Sequence, residues 1–137
     1  MATAKPRQAR SPLDKCIDKV DPKRTTMWHT SNPHGTWGTT NQNNGVVWID
    51  TARIPPRYLC SVVFHEWIHV LQSRANPRWR VTAGQVNRVL GTSGLRGLEY
   101  VADCGALQLG AIWIHYGCRS AAEKKMAANL LAGKPIV

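Results

Sequence analysis

Apolar positions change their spacing part-way along this chain, and the change separates a strand-rich first third from a helical remainder. Leu13, Cys16, Ile17 and Val20 recur at the helical period, which predicts a short helix ended by Asp21-Pro22. Thr25 to Thr30, rich in β-branched and aromatic residues, reads as a strand; Trp37 to Thr40 reads as a second, and Val46 to Asp50 as the clearest. Ser31 to Gly35 and Asn41 to Gly45 are the turns between them, the latter ending in an Asn-Gly pair suited to positive φ. After Ile54-Pro55-Pro56 the period becomes helical over residues 57 to 73, with no proline or glycine inside. Thr82-Ala83-Gly84-Gln85 resembles a capping box opening a short helix to Leu90, and Gly91 to Gly97 reads as a flexible connection. Leu98 to Tyr116 is expected to be one long apolar helix stopped by Gly117, and Ser120 to Glu123 caps a last helix to Leu131. Strands first and helices afterwards predict an α+β domain over residues 13–137, its N-terminal strands paired as an antiparallel hairpin. Residues 1–12, polar, basic and proline-bearing, are expected to be a disordered arm.

The first long helix carries His65-Glu66-Trp67-Ile68-His69. Positions four apart lie on one helix face, so both imidazoles can address a centre about 2 Å from each ring nitrogen, as zinc requires. Glu66, one residue round the helix, is poorly placed to chelate with them and well placed to touch a water beside the metal. A catalytic zinc site needs a third protein ligand and one open position. The glutamates of the chain are Glu66, Glu99 and Glu123, and Glu123 belongs to a cap, which leaves Glu99. Asp103 shares its helix face, and a carboxylate in so apolar a run needs a cation or a strong donor. A metal would serve Glu99, and the free N–H of a ligand histidine would serve Asp103.

His65-Glu66-x-x-His69 with Glu99-x-x-x-Asp103 resembles the gluzincin metallopeptidases in a minimal, single-domain, zincin-like form. The run Glu99 to Ala106 is also similar to the second helix of small bacterial and bacteriophage zinc peptidases, and the likeness covers about residues 45 to 116. The resemblance implies one zinc per chain held by His65, His69 and Glu99, with Asp103 orienting His65. It implies a zinc-dependent endopeptidase in which Glu66, as general base, takes the proton of a zinc-activated water. It also implies that Val46, Val47, Trp48, Ile49 and Asp50 form the sheet edge along which an extended peptide pairs. No partner for His69 is indicated. His29, His34 and Tyr58 are the candidates for stabilising an oxyanion, whereas Tyr100 should point away. His115 would lie about 24 Å beyond Glu99 on a continuous helix and is not expected to ligate. Trp28, Trp37 and Trp48 read as core.

Charge adds a statement about partners. The net charge is +10, and Arg74, Arg78, Arg80, Arg88 and Arg96 follow one another with no acidic residue between. Lys5, Arg7, Arg10, Lys15, Lys19, Lys23 and Arg24 face only Asp14, Asp18 and Asp21 near the N-terminus. This balance favours an anionic partner, either an acidic protein or peptide substrate or a nucleic acid. A DNA-associated or regulatory protease of the SprT-like or ImmA-like kind is therefore one alternative. A nonenzymatic, virion-associated or binding protein with a structural zinc is another. No run of about 18 apolar residues is present, so no membrane span is expected. Without an apolar segment after the basic N-terminus no signal peptide is read, which favours a cytoplasmic or virion-associated protein. Cys16, Cys60, Cys104 and Cys118 form no C-x-x-C pair, and the apolar settings of Cys60 and Cys104 favour reduced thiols.

Overall fold

The structure is a computed structural model and describes residues 10–137; of the expected arm, residues 1–9 lie outside the described residues. The rest of that arm belongs to the fold. Ser11 caps α1 (Pro12–Asp18), its Oγ accepting from the Asp14 N–H at 3.0 Å while Asp14 reaches back, and Arg10 pairs with Asp18. Short strands follow, β1 (Trp28–His29), β2 (Gly38–Thr40) and β3 (Val47–Ile49). After a 3-10 turn come α2 (Leu59–Ala75), α3 (Trp79–Leu90), α4 (Arg96–Gln108) and α5 (Ala121–Leu131). The class is α+β, as the order of periods predicts.

The sheet differs from the expected antiparallel arrangement. Its order is β1-β3-β2, with β1 parallel to β3 and only β2 and β3 forming the antiparallel hairpin. Val46 to Asp50 is therefore not an edge: β3 is the central strand, and the edge of the hairpin is β2. The reason lies in burial. Val47 and Ile49 are fully buried in the core, and a strand with so apolar a face gains most with a neighbour on each side. Trp48 points to the opposite face, as alternation demands, where it stacks on His29 at 5.3 Å between ring centroids. β2 contributes only Gly-Thr-Thr, which suits an edge.

Helix α2 is the axis of the molecule, with Val63, Ile68 and Val70 fully buried, and it packs on α1, α4, α5 and the sheet. It lies tight against α4, where a Cβ on Gly105 would stand 2.5 Å from Ile68 side-chain atoms. Only glycine lets the two helices come this near. Helix α4 ends well before the expected Tyr116. Gly110 takes φ +103°, and the segment after it turns back instead of continuing. Ser61 Oγ accepts the Ile112 N–H at 2.9 Å, and Asp103 accepts those of Tyr116 and Gly117. An apolar run reads alike whether it packs as helix or as loop, and the backbone bonds to Asp103 decide for the loop. The connection before α4 is also tied down, by Asn87 Nδ2 donating to the Gly94 carbonyl at 2.9 Å and Thr92 Oγ1 donating to Asn87.

The cysteines are paired, contrary to the reduced state favoured by their apolar settings. Cys16–Cys60 ties α1 to the start of α2, and Cys104–Cys118 ties α4 to the returning loop. Apolar surroundings suit a thiol and a disulfide alike, so burial was no guide to pairing. Among the described residues no helix is long and apolar enough to cross a membrane.

Candidate metal centre

Helices α2 and α4 lie side by side, and each turns one polar spot toward the other. His65 and His69 stand one turn apart on α2, and Glu99 stands in the first turn of α4. One ligand atom from each of the three lies within 4.8 Å of the other two, a grouping that could hold a metal ion. The two Nε2 atoms are 3.1 Å apart, His65 Nε2 is 3.5 Å from Glu99 Oε1, and His69 Nε2 contacts the same oxygen.

The outer nitrogens fix what the inner ones offer. His65 Nδ1 donates to Asp103 Oδ1 at 2.7 Å. The Gln72 amide is held by its Nε2 donating to the Leu98 carbonyl at 3.0 Å, so its oxygen faces His69 Nδ1 at 2.7 Å and must accept. With both Nδ1 atoms protonated, both Nε2 lone pairs converge on Glu99, and only a proton or a cation can stand among them. Gln42 also approaches His69 Nδ1 at 3.1 Å, and its own buried Oε1 has no partner until that oxygen faces the imidazole N–H. Gln72 is the partner of His69, for which the motif indicates none. Its signal was a single amide one turn beyond His69 on an apolar helix.

The charges report the same demand for a cation. Burial disfavours a charged imidazole at His65, yet the Asp103 and Glu99 carboxylates outweigh it and raise its pKa to about 10. Burial likewise opposes charge at His69, and Glu99 overrides it in the same upward direction. Burial pushes the Glu99 carboxyl up, but hydrogen bonds from the two imidazoles prevail and hold it far below the usual carboxylate range.

Glu66 points the other way round α2, toward β2. Its Oε1 accepts from Thr40 Oγ1 at 2.8 Å, and its Oε2 lies 3.9 Å from His65 Nε2, beside the centre but outside the ligand group. A Cβ on Gly38 would come within 2.9 Å of the Glu66 side chain, so glycine here is what admits the carboxylate. The hairpin register adds a further feature. Trp37, Thr39 and Asn41 bond inward to β3, so Gly38 and Thr40 turn their backbone groups to the free side. That side borders an open cleft of about 1150 Å³ lined by β2, α2, α4 and the returning loop.

The oxyanion candidates fall elsewhere. His29 and His34 both pack on Trp48 on the outer face of the sheet, and Tyr58 lies behind Trp37 and Trp113; none of the three lines the cleft. Because α4 stops early, His115 and Tyr116 return to the cleft instead of projecting far beyond Glu99. The Tyr116 ring stacks beside His65 at 6.0 Å, and burial together with the neighbouring Glu99 carboxylate raises its phenol pKa. Tyr116 was missed because its position depends on the helix ending at Gln108.

Comparison with protein-family models, curated proteins and solved structures returned no match. What the centre could do follows from its donors: two imidazoles and a carboxylate that could hold a metal ion, a carboxylate beside them, and a phenol within the same cleft.

The returning loop supports this centre through Asp103, and Cys104–Cys118 fastens the same two segments one residue further on. Replacing both cysteines by serine opens a closure of 14 residues, a loss of about 3 kcal/mol on the chain-entropy account. It also frees the N–H groups that hold Asp103, so affinity for a metal ion, zinc for instance, at His65, His69 and Glu99 should fall about 10- to 100-fold. Chelator competition and a melting curve read the two effects separately. A lower Tm with unchanged zinc affinity would show that the loop braces the fold and not the centre.

Proposed function

We propose that this chain is a zinc-dependent endopeptidase of gluzincin-like design. The observation that carries the reading is the convergence of His65 Nε2, His69 Nε2 and Glu99 Oε1 beside a carboxylate that belongs to the cleft and not to the ligand set. The donors suit zinc. In a tetrahedron with bonds near 2.05 Å neighbouring ligand atoms sit about 3.3 Å apart; separations of 3.1 and 3.5 Å fall on either side of that edge, while His69 Nε2 and Glu99 Oε1 stand closer than it and must part to admit the ion. A bound zinc supplies a Lewis acid that polarises a carbonyl and lets water lose a proton near neutral pH.

The remaining chemistry is assigned to the chain's own groups. Glu66 takes the proton from the attacking water and passes it to the leaving amine, while Thr40 occupies Oε1 and leaves Oε2 toward the centre. Asp103 and Gln72 keep the two imidazoles in the tautomer that presents Nε2 inward. Tyr116 offers a phenolic donor for the negative charge that develops on the carbonyl oxygen. The outward backbone groups of Gly38 and Thr40 pair with an extended substrate, in place of Val46 to Asp50, whose strand is central and has a neighbour on each side.

Arg78, Arg80 and Arg88 do not line the cleft, which gives the SprT-like or ImmA-like alternative no support from the site itself. A purely structural zinc accounts less well for a carboxylate held beside the ligands in an open cleft. The disulfides favour an oxidising setting for the activity over a reducing cytoplasm. The test is incubation of zinc-loaded protein with an unstructured polypeptide, with new termini read by mass spectrometry. Internal cleavage abolished by a chelator and restored by zinc supports the reading; intact polypeptide at one zinc per chain contradicts it.

A further inference from the structure

The two ends of the cleft differ in chemistry. Toward the start of α2 the wall is aromatic, Trp37 and Trp113 packing at 5.1 Å between centroids. Toward the end of α2, past His69, the wall is the first turn of α4 with Leu95 and Arg96. The four other Arg, Asp and Glu side chains of the cleft each have a partner: Arg53 has Asp50, Glu66 has Thr40, Glu99 has the two imidazoles, and Asp103 has His65 and the returning loop. Arg96 has no ion-pair partner among the described residues. Arg74 bonds Thr25 Oγ1 and covers the Trp67 ring, so of the arginine-rich segment only Arg96 reaches the cleft.

We propose that Arg96 is a specificity-determining residue that recruits a carboxylate of the substrate close to the cleaved bond. This rests on the peptidase reading. Arg96 precedes Glu99 by one helical turn, with Cβ atoms about 5–6 Å apart, so its side chain leaves α4 beside the ligand and lines the same cleft without belonging to the ligand group. An extended chain advances about 3.3 Å per residue, which puts the recognised carboxylate within roughly two or three residues of the reacting carbonyl. A planar guanidinium takes a carboxylate in two parallel hydrogen bonds, a geometry that lysine could not reproduce. The carboxylate belongs either to an Asp or Glu side chain or to the substrate's C-terminus, and the probes below separate these sources.

The probes are peptide hydroxamates, which grip zinc without being cleaved. One carries Glu and an amidated C-terminus, one Gln and an amidated C-terminus, and one Gln with a free C-terminal carboxylate. Calorimetry on zinc-loaded wild type should find at least one carboxylate probe about tenfold or more tighter than the neutral one. In R96Q that preference should shrink to within about twofold, while zinc content and affinity for the neutral probe stay unchanged. Equal binding of all three probes by wild type, or a preference that survives in R96Q, overturns the proposal. If the neutral probe fails to bind a protein that holds its zinc, the peptidase reading fails and the proposal with it.

Discussion

Glu66→Gln should abolish peptide hydrolysis and leave the zinc in place. The side chain is almost fully buried, so volume must be conserved, and glutamine conserves it while removing the base. The new amide can still accept from Thr40 through its oxygen, so the contact with β2 survives. The ligand group excludes Glu66, and zinc content should remain that of the wild type. A loss of about a thousandfold in kcat corresponds to roughly 4 kcal/mol of transition-state stabilisation. Turnover and metal content measured on one preparation check both halves. Unchanged turnover removes Glu66 from the mechanism; lost zinc would make Glu66 a ligand.

Zinc affinity should depend steeply on pH, and the sign follows from the metal-free centre. There the His65 pKa is raised to about 10 and that of His69 is raised as well, because protons stand in for a cation among the carboxylates. A metal ion must displace these protons, so affinity should climb by up to about tenfold per pH unit for each proton released. The same shift makes metal-free stability pH-dependent. A histidine whose folded pKa is raised contributes its full stability below the unfolded value of about 6.5, and that contribution is lost as pH rises toward 10. Over that window the metal-free protein should weaken while the zinc-loaded protein, its protons already replaced, changes little. His69→Ala removes one of three ligands and one competing proton, so it should lower affinity on the order of a thousandfold at the alkaline end, by less as pH falls, and flatten the profile. Chelator competition from pH 6 to 9 measures both effects. A flat profile would mean that zinc binds elsewhere.

How far the site was legible in the sequence follows from how local each relation is. His65 and His69 share a face because helical spacing is a property of a few residues, and Glu99 and Asp103 do so for the same reason. Their meeting across two helices was inferable from the cost of leaving carboxylates unpartnered in apolar sequence. Gln72 obeyed the same logic one turn beyond His69. Strand order did not: residue types that mark β3 as a strand say nothing of whether it has one neighbour or two. The alternation that buries Val47 and Ile49 also sends Trp48, with His29 and His34, to the far face, so those histidines were lost with the pairing. Cysteine pairing is likewise non-local; Cys16 and Cys60 meet only when α1 packs on α2. The turn at Gly110 decided most. It converted a distant helix end into the loop that holds Asp103 and brings Tyr116 to the cleft.

The location of zinc in a crystal of the metal-loaded wild-type protein tests the central claim most directly. Anomalous diffraction at the zinc edge should give one peak per chain, about 2 Å from His65 Nε2, His69 Nε2 and a Glu99 carboxylate oxygen, with Glu66 near but not bound. A peak on other residues, or no peak from protein equilibrated with zinc at neutral pH, would contradict it.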